Sequence, residues 1–273
     1  MFLSDYHTHT TFSQDAEDTM EAMAAAHLAA GMKAICFTDH ADDCLIPTDV
    51  TYPLNLYFEK EKLGLYDEHL RVRDKFAGKL DIRLGMELSS PDQDTEKAAR
   101  LTTLLPFDFI IGSVHNIAGE NDFYFIEYSS KAQCAELIDR YLADHLKMLA
   151  VGGFDVIGHI GYCVKYMAKQ GIMINMDDWL DAIKTVLSAA INKGIGIEVN
   201  TSGMRSVMNG SIPSPAVIKL YRQLGGEIIT TGSDSHNVRD AGAGIAEATE
   251  IIKNAGFEYV TVFKNRKPEF IRI

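Results

Sequence analysis

The chain has 273 residues, of which 47% are hydrophobic and 23% are charged, and its mean hydropathy is -0.05. This balance is typical of a folded soluble protein and excludes a disordered, collagen-like or coiled-coil chain. The formal net charge of -12 argues against a broad nucleic-acid-binding surface, because such surfaces are basic. It does not exclude a small phosphoester substrate, since a few cations or metal ions can hold a phosphate locally.

The sequence carries no sign of secretion or of a membrane anchor. Its four cysteines, Cys36, Cys44, Cys134 and Cys163, have no regular spacing, so we expect reduced thiols. The first residues lack the basic segment and long apolar run of a signal peptide. No apolar stretch approaches the roughly 20 residues of a membrane span. We therefore predict a cytoplasmic protein with no membrane partner.

Short β-type segments alternate with longer helical segments along the chain. The predicted strands are Phe2–His7, Lys33–Thr38, Asp81–Leu88, Phe107–Val114, Phe154–His159, Gly194–Val199 and Glu227–Thr231, and a further alternating apolar run covers Tyr259–Phe263. The predicted helices are Thr19–Ala30, Leu56–Phe76, Ser130–Ala150, Met176–Asn192, Pro213–Leu224 and Val238–Ala255. This alternation indicates a parallel sheet covered by helices. Because no linker interrupts the series, we expect one domain over residues 1–273.

Seven strand–helix units can form either an open sheet or a closed barrel. An open nucleotide-binding sheet normally has a glycine-rich phosphate loop directly after its first strand. Here the first strand is followed by Thr8–Ser13, which contains no glycine. A nucleotide-binding sheet is therefore disfavoured, and the choice between another open sheet and a barrel depends on what the strand ends carry.

Nearly every predicted strand ends in residues that can bind a metal ion. The first strand ends at His7 and leads to His9, and residues two apart in an extended segment face the same side. Further candidates follow at the ends of the other strands or in the loop after the first, namely Asp15, His40, Glu87, His115, His159, Asp234 and His236. The sixth strand leads to Asn200 instead. Barrels and open α/β sheets build their active sites at these strand ends.

The histidines divide into two groups. Six of the nine fall at strand ends, whereas His27, His69 and His145 lie inside helical segments and are assigned to structural or surface roles. Asp39 is interpreted as a residue that orients an imidazole, as metal sites usually require. The glycines that precede the ligands, Gly85, Gly112, Gly158 and Gly232, are expected either to let backbones approach the site closely or simply to end their strands.

Nine ligands are too many for one ion, since a catalytic zinc usually has three protein ligands. Mixed histidine and carboxylate ligands suit Zn, Mn or Fe and disfavour Mg or Ca. We therefore predict two to three divalent transition-metal ions. Such centres lower the pKa of bound water toward about 7 and clamp the oxygens of a hydrolytic displacement.

The ordered motifs resemble one known family. They are His7-Thr8-His9, Thr38-Asp39-His40, Glu87, Gly112-Ser113-Val114-His115, Gly158-His159 and Gly232-Ser233-Asp234-Ser235-His236. Together they resemble the polymerase and histidinol phosphatase (PHP) family of metal phosphoesterases over residues 1 to about 240. The resemblance implies an α/β fold, a distorted seven-stranded (β/α) TIM-like barrel with its metal site at the C-terminal ends of the strands.

The resemblance also implies three sets of metal ligands. One ion would be held by His7, His9, Glu87 and Asp234, a second by Glu87, His115 and His159, and a third by Asp15, His40 and His236. Glu87 would bridge the first two ions. A hydroxide shared by two ions would attack the phosphorus of a phosphomonoester.

The chain length and the lack of polymerase domains resemble the stand-alone histidinol-phosphate phosphatase branch of the family. The expected reaction is therefore the conversion of L-histidinol phosphate and water to L-histidinol and phosphate, a step of histidine biosynthesis. Two alternatives stay open. One is another phosphoesterase of this family, acting on a nucleotide or sugar phosphate, and the other is a non-catalytic metal-binding module.

The remaining candidates contact the substrate or move protons. Arg205, in the loop after the sixth strand, is predicted to clamp the phosphate, because guanidinium matches phosphate oxygens in a bidentate manner. Lys165 is a second candidate cation. Glu87 and Asp234 are counted as catalytic through the ions that they hold. Asp39, His236 or a metal-bound water is expected to protonate the leaving oxygen. Aromatic residues of the loops, Phe12, Tyr52, Tyr57 and Tyr162, are candidates for stacking on a substrate ring.

Overall fold

The computed structural model describes residues 1–46 and 54–273, so Tyr52 lies outside the described residues. The strands are β1 (Ser4–Thr8), β2 (Ala34–Phe37), β3 (His40–Ala41), β4 (Asp81–Ser89), β5 (Phe109–Ser113), β6 (Val156–Ile157), β7 (Gly196–Asn200), β8 (Ile229–Gly232), β9 (Tyr259–Lys264) and β10 (Lys267–Arg272). The helices are α1 (Met20–Ala29), α2 (Tyr57–Lys62), α3 (Leu65–Lys75), α4 (Thr95–Leu101), α5 (Lys131–Val151), α6 (Tyr162–Lys169), α7 (Leu180–Asn192), α8 (Pro215–Gln223) and α9 (Ile245–Asn254).

Seven parallel strands form a nearly closed barrel, which confirms the predicted fold class. They lie in the order β1-β2-β4-β5-β6-β7-β8, and the two-residue β3 adds to the end of β4. The gap between β8 and β1 is joined near the C-terminal ends of the two strands, where the Asp234 amide donates to the His7 carbonyl at 2.8 Å. The His9 amide likewise donates to the Ser235 carbonyl at 2.9 Å. This junction brings the motifs of the first and last barrel strands together.

The helices follow from local signals in the sequence. Thr19, Ser130 and Ser214 each cap the start of a helix by accepting a backbone N–H with the side chain. The predicted helix Leu56–Phe76 is in fact two helices, α2 and α3. They are separated at Gly64, which has a φ of 85° that the interior of a helix does not allow.

The last two strands form an antiparallel hairpin at the end of the barrel opposite the ligands. Phe263 of β9 packs on Phe109, with ring centroids 4.9 Å apart, and its carbonyl accepts from the Tyr6 hydroxyl. Strand β9 matches the predicted apolar run, but β10 was not predicted. Its six residues include Pro268 and three charged side chains and are mostly exposed, so they lack the apolar alternation of a half-buried strand.

The core lies between the strands and the ring of helices, where the apolar faces of α5, α7 and α8 pack toward the sheet. All four cysteines are buried free thiols. Within the described residues, no helix combines the length and the apolar character needed to cross a membrane.

Candidate metal centre

The nine predicted ligands converge at the C-terminal end of the barrel. Six histidines and three carboxylates meet there, contributed by the ends of β1, β3, β4, β5, β6 and β8 and by the loops that follow them: His7, His9, Asp15, His40, Glu87, His115, His159, Asp234 and His236. Glu87 lies at the centre and is fully buried. The arrangement can be divided into three groups of ligand atoms.

The first group consists of His7, His9, Glu87 and Asp234. The Nε2 atom of His7 lies 3.3 Å from Glu87 Oε2 and 3.7 Å from Asp234 Oδ1. The Nε2 atom of His9 lies 3.7 Å and 3.4 Å from the same two oxygens. Metal–ligand distances of about 2.0–2.2 Å place the ligand atoms of a tetrahedral zinc site about 3.3–3.6 Å apart. The four distances given above are close to this spacing, so these side chains can hold a divalent ion.

The second group shares Glu87 with the first but uses its other oxygen. Glu87 Oε1 lies 3.0 Å from His115 Nε2 and 2.8 Å from His159 Nε2, and these two nitrogens are 3.3 Å apart. The two oxygens of one carboxylate thus face two separate sets of imidazoles. This is the geometry that a bridging carboxylate requires.

The third group lies nearer the solvent. Asp15 Oδ2 is 3.5 Å from His40 Nε2 and 3.3 Å from His236 Nε2, and the two imidazole nitrogens are 3.3 Å apart. His40 also connects this group with the first, since its Nδ1 lies 2.7 Å from Glu87 Oε2.

Several buried atoms at the centre have no hydrogen-bond partner within the described part of the chain. They include His7 Nε2, His9 Nε2 and Glu87 Oε2, which face one another in the first group. Buried polar atoms without partners are costly and rare, so their convergence is itself evidence for a cation between them. This observation, with the ligand spacing, shows that the residues fit a divalent metal ion.

The carboxylates and imidazoles of the centre strongly shift one another's pKa values. Burial alone would raise the pKa of Glu87, but the imidazoles around it, His115 and His7 foremost, hold that pKa well below its ordinary value. Burial and the neighbouring rings of His236 and His40 push the pKa of His9 well below its ordinary value. Burial alone would lower the pKa values of His7 and His40, but the neighbouring carboxylates hold both well above the ordinary value. A metal ion needs neutral imidazoles, so its binding at this centre would release protons.

The imidazoles are oriented by hydrogen bonds on their far sides. His7 Nδ1 lies 2.7 Å from Glu198 Oε1. His9 Nδ1 lies 3.3 Å from Ser13 Oγ, which donates to Asp39. Ser89 links His115 Nδ1 to Asp42 in the same way. Each serine hydroxyl donates its proton to a carboxylate, so its oxygen accepts from the Nδ1 atom of the imidazole, as Glu198 does from His7. The lone pair of each Nε2 is therefore directed into the centre.

Asp39 lies behind the ligands rather than among them. Its two oxygens accept from the Thr10 amide, the Thr10 hydroxyl and the Ser13 hydroxyl, at 2.7–2.9 Å. Through Ser13 it reaches His9, which agrees with the predicted orienting role. It does not line the cleft described below, so the structure does not bring it to a position from which it could protonate a leaving group.

A cleft of about 550 Å³ opens directly onto the centre. Its walls include Lys165, three tyrosines and two further carboxylates: Tyr124, Tyr162, Tyr166, Asp42 and Asp122. The Lys165 ammonium lies 4.0 Å from Asp234 Oδ2 and 5.3 Å from the Tyr162 ring centroid, and the side chain is 17% exposed. Lys165 thus lies beside the ligands, and its contact with a substrate stays a prediction.

Arg205 occupies a different position from the one expected of a phosphate clamp. Its guanidinium donates to the Ser233 carbonyl at 2.7 Å and lies 3.6 Å from Asp240, and the side chain does not line the cleft. In this conformation Arg205 supports the loop that carries Asp234. Its contact with phosphate stays a prediction.

The helical histidines lie outside the centre, as assigned. His27 forms a buried pair with Asp5, with 2.9 Å between His27 Nε2 and the carboxylate. Burial lowers the pKa of both His69 and His145 to about 4. All three rings serve packing or hydrogen bonding within the fold.

Sequence reasoning missed Glu198, which lies in the middle of β7 between two apolar residues, Ile197 and Val199. It also missed Ser89, which links His115 to Asp42. For Glu198 the available signal in the sequence was its charge, because a glutamate inside an apolar strand of a parallel barrel is buried and needs a partner.

Comparison with known proteins agrees with the geometry. Residues 5–202 match the model of the PHP domain, and the chain therefore belongs to the PHP domain family. Among similar proteins, the histidinol-phosphatase of Lactococcus lactis is 26% identical, covering 96% of this chain and 95% of the relative. A protein of Deinococcus radiodurans named a probable histidinol-phosphatase is 28% identical, covering 97% and 98%.

The fold also matches a solved structure over nearly its whole length. The crystal structure of histidinol phosphate phosphatase from Lactococcus lactis, in complex with zinc, L-histidinol and phosphate, superposes with a TM-score of 0.80 at 23% identity. The match covers 98% of each chain.

Proposed function

We propose that this protein is a metal-dependent phosphatase that hydrolyses L-histidinol phosphate to L-histidinol and phosphate. One observation carries the proposal, namely the convergence of nine side chains that can bind a metal ion, with Glu87 at their centre, at the end of a PHP-family barrel. The relatives named for this activity match nearly the whole chain, and one was solved with zinc, L-histidinol and phosphate. The three groups of ligand atoms support two to three ions of Zn, Mn or Fe, since histidine and carboxylate ligands suit these metals.

Divalent ions bound here would supply an activated water and positive charge for the phosphoryl oxygens. The chain's own residues would then position the substrate. The Lys165 ammonium lies beside Asp234 and can donate to a phosphoryl oxygen. Its position above Tyr162 and Tyr166, about 5 Å from each ring, keeps the ammonium over the cleft.

The far part of the cleft suits the organic half of histidinol phosphate. Tyr162 and Tyr166 present aromatic rings on which an imidazole can stack. Asp122 accepts from the Tyr162 hydroxyl at 3.1 Å, and its carboxylate can face the substrate's ammonium group. A phosphate beside Lys165 and an amine beside Asp122 would fix the orientation of the substrate.

Access to the cleft reduces the number of groups that can donate a proton to the leaving oxygen. His236 lines the cleft and Asp39 does not. We therefore favour His236 over Asp39 as the proton donor. This role requires that no ion is bound at His236 Nε2, as would be the case when only the two ions that share Glu87 are bound. A metal-bound water is the source when the third group is filled.

We also propose that residues 1–273 act as one domain in the cytoplasm, where the free buried thiols would stay reduced. The substrate is a small molecule, and the acidic surface is unsuited to nucleic acid.

The test is phosphate release from a panel of phosphomonoesters by the metal-replete protein. The panel contains L-histidinol phosphate, a nucleotide 3′-phosphate, glucose 6-phosphate and p-nitrophenyl phosphate, and Glu87→Ala serves as the inactive control. We expect kcat/KM to be highest for L-histidinol phosphate. A higher value for the nucleotide or sugar phosphate would reassign the substrate, and no release from any ester would reject a phosphatase.

A further inference from the structure

The side chain of Glu198 connects ligands of two different ion sites. It lies in β7, the barrel strand that supplies no ligand, and is 1% exposed. Its Oε1 accepts from His7 Nδ1 at 2.7 Å, and its Oε2 accepts from the backbone N–H of His159 at 2.8 Å. His7 belongs to the first group of ligands and His159 to the second, so one carboxylate contacts both.

Asn200, two residues along the same strand, extends this connection to a third ligand. Its Nδ2 lies 3.3 Å from Glu198 Oε2 and also 3.3 Å from Asp234 Oδ2. Asp234 directs its other oxygen, Oδ1, toward His7 and His9. The Asn200 amide therefore fixes which oxygen of Asp234 faces the first group.

Two of the connected ligands have backbone conformations that residues other than glycine rarely adopt. The φ angle of His159 is 21° and that of Asp234 is 55°. Aspartate and histidine adopt such angles more often than most residues, as single positions held by local contacts. The bond from the His159 amide to Glu198 and the bond from the Asp234 amide to the His7 carbonyl are contacts of this kind.

The neighbouring strand leaves room for the carboxylate. A Cβ atom added to Gly232 of β8 would lie 2.1 Å from Glu198 Oε1 and 2.4 Å from His7 Cβ. Of the two roles considered for Gly232, close approach to the site and termination of the strand, this space is consistent with the first, and the group that it admits is the Glu198–His7 pair.

We propose that Glu198 and Asn200 are positioning residues that set the orientation of His7, His159 and Asp234 and thereby the affinity of the two ions that share Glu87. This inference goes beyond the proposed reaction. It rests on the centre holding metal ions but is independent of which phosphoester is hydrolysed. It also gives the strand without a ligand a specific role in the centre.

Glu198→Gln is a sharp test because it keeps the shape of the side chain. The carboxylate accepts hydrogen bonds on both oxygens, whereas the amide of glutamine has only one accepting oxygen. Either orientation of the amide therefore places its N–H₂ group against another donor, at His7 Nδ1 or at the His159 amide. To relieve the clash at His7, the ring must move its proton to Nε2, which blocks the atom that faces the ion.

The experiment measures zinc dissociation constants by chelator competition in wild type, Glu198→Gln, Asn200→Ala and Glu227→Gln. Loss of such orienting partners typically weakens metal binding 10- to 100-fold. We expect a loss in this range for two ions in Glu198→Gln, a smaller loss in Asn200→Ala and wild-type affinity in Glu227→Gln. Glu227 is an exposed glutamate at the opposite end of the neighbouring strand, so it controls for the loss of one negative charge.

Asn200→Ala removes no charge, so any loss of zinc affinity in this variant comes from the lost positioning of the ligands. It also provides the test if Glu198→Gln does not fold. The visible spectrum of bound Co²⁺, which reports the ligands, should change in both variants and not in Glu227→Gln. Wild-type zinc affinity and Co²⁺ spectrum in the folded variants would overturn the inference. Failure of the wild-type protein to bind zinc would instead count against the proposed metal centre.

Discussion

Glu87→Ala should be the most damaging single change at the centre. Glu87 Oε1 lies 2.8 Å from His159 Nε2 and 3.0 Å from His115 Nε2, while Oε2 lies 3.3 Å from His7 Nε2. The substitution therefore removes a charged ligand from two ion sites at once. A contact with a charged group contributes about 1.5–3 kcal/mol, so two such contacts contribute about 3–6 kcal/mol. At about 1.4 kcal/mol for each factor of ten, the expected loss of rate is roughly 100- to 20,000-fold.

The comparison variant is Asp15→Ala, which removes one ligand from the third group only. By the same reasoning it should lose about 10- to 150-fold. Both rates are measured as phosphate release at saturating zinc, with circular dichroism to establish that each variant is folded. The bridging role of Glu87 would be refuted if Glu87→Ala retained more than about a tenth of the wild-type rate, or lost less than Asp15→Ala.

Three further outcomes are expected. Lys165→Met should weaken inhibition by inorganic phosphate about 10- to 150-fold with metal content unchanged, and unaltered inhibition would remove the ammonium from the phosphate site. Arg205→Ala should lower kcat/KM by a similar factor at constant metal content, whereas wild-type kinetics would leave this guanidinium only as a support of the Ser233 loop. Burial, with a smaller effect of Arg73, lowers the pKa of His69 to about 4. The unfolded chain takes up a proton here near pH 6.5, so folding stability is lost as the pH falls from about 6.5 toward 4. His69→Leu should therefore lose about 2 kcal/mol less than wild type between pH 7 and pH 5 in urea unfolding of the metal-free protein, and equal losses would show that His69 is not buried as a neutral ring.

The ligands could be predicted because the physics that places them is simple. Parallel strands in a barrel end on one side, so residues such as His115 and His159 at successive strand ends are brought together without any knowledge of packing. The pairing of His7 with His9 follows from the two-residue period of a strand. The three histidines in helical segments were separated from the ligands by the same reasoning.

The contacts behind the ligands could not be predicted in this way. That Glu198 faces His7 depends on strand register and on the space at Gly232, which are properties of the packed barrel. The direction of the Arg205 side chain likewise depends on the nearby Ser233 carbonyl, which a loop sequence does not reveal. The division of the predicted helix at Gly64 is a different case, since a glycine with a φ of 85° directly after the end of α2 is a local signal that the prediction of one helix overlooked.

The most direct test of the central claim is the activity of the metal-free protein as zinc is added in known equivalents, with L-histidinol phosphate as substrate. The account predicts no phosphate release after chelation, followed by a rise that continues through two equivalents per chain and levels off by three. Full activity in the chelated protein, or a plateau at one equivalent or less, would contradict a multinuclear centre built around Glu87.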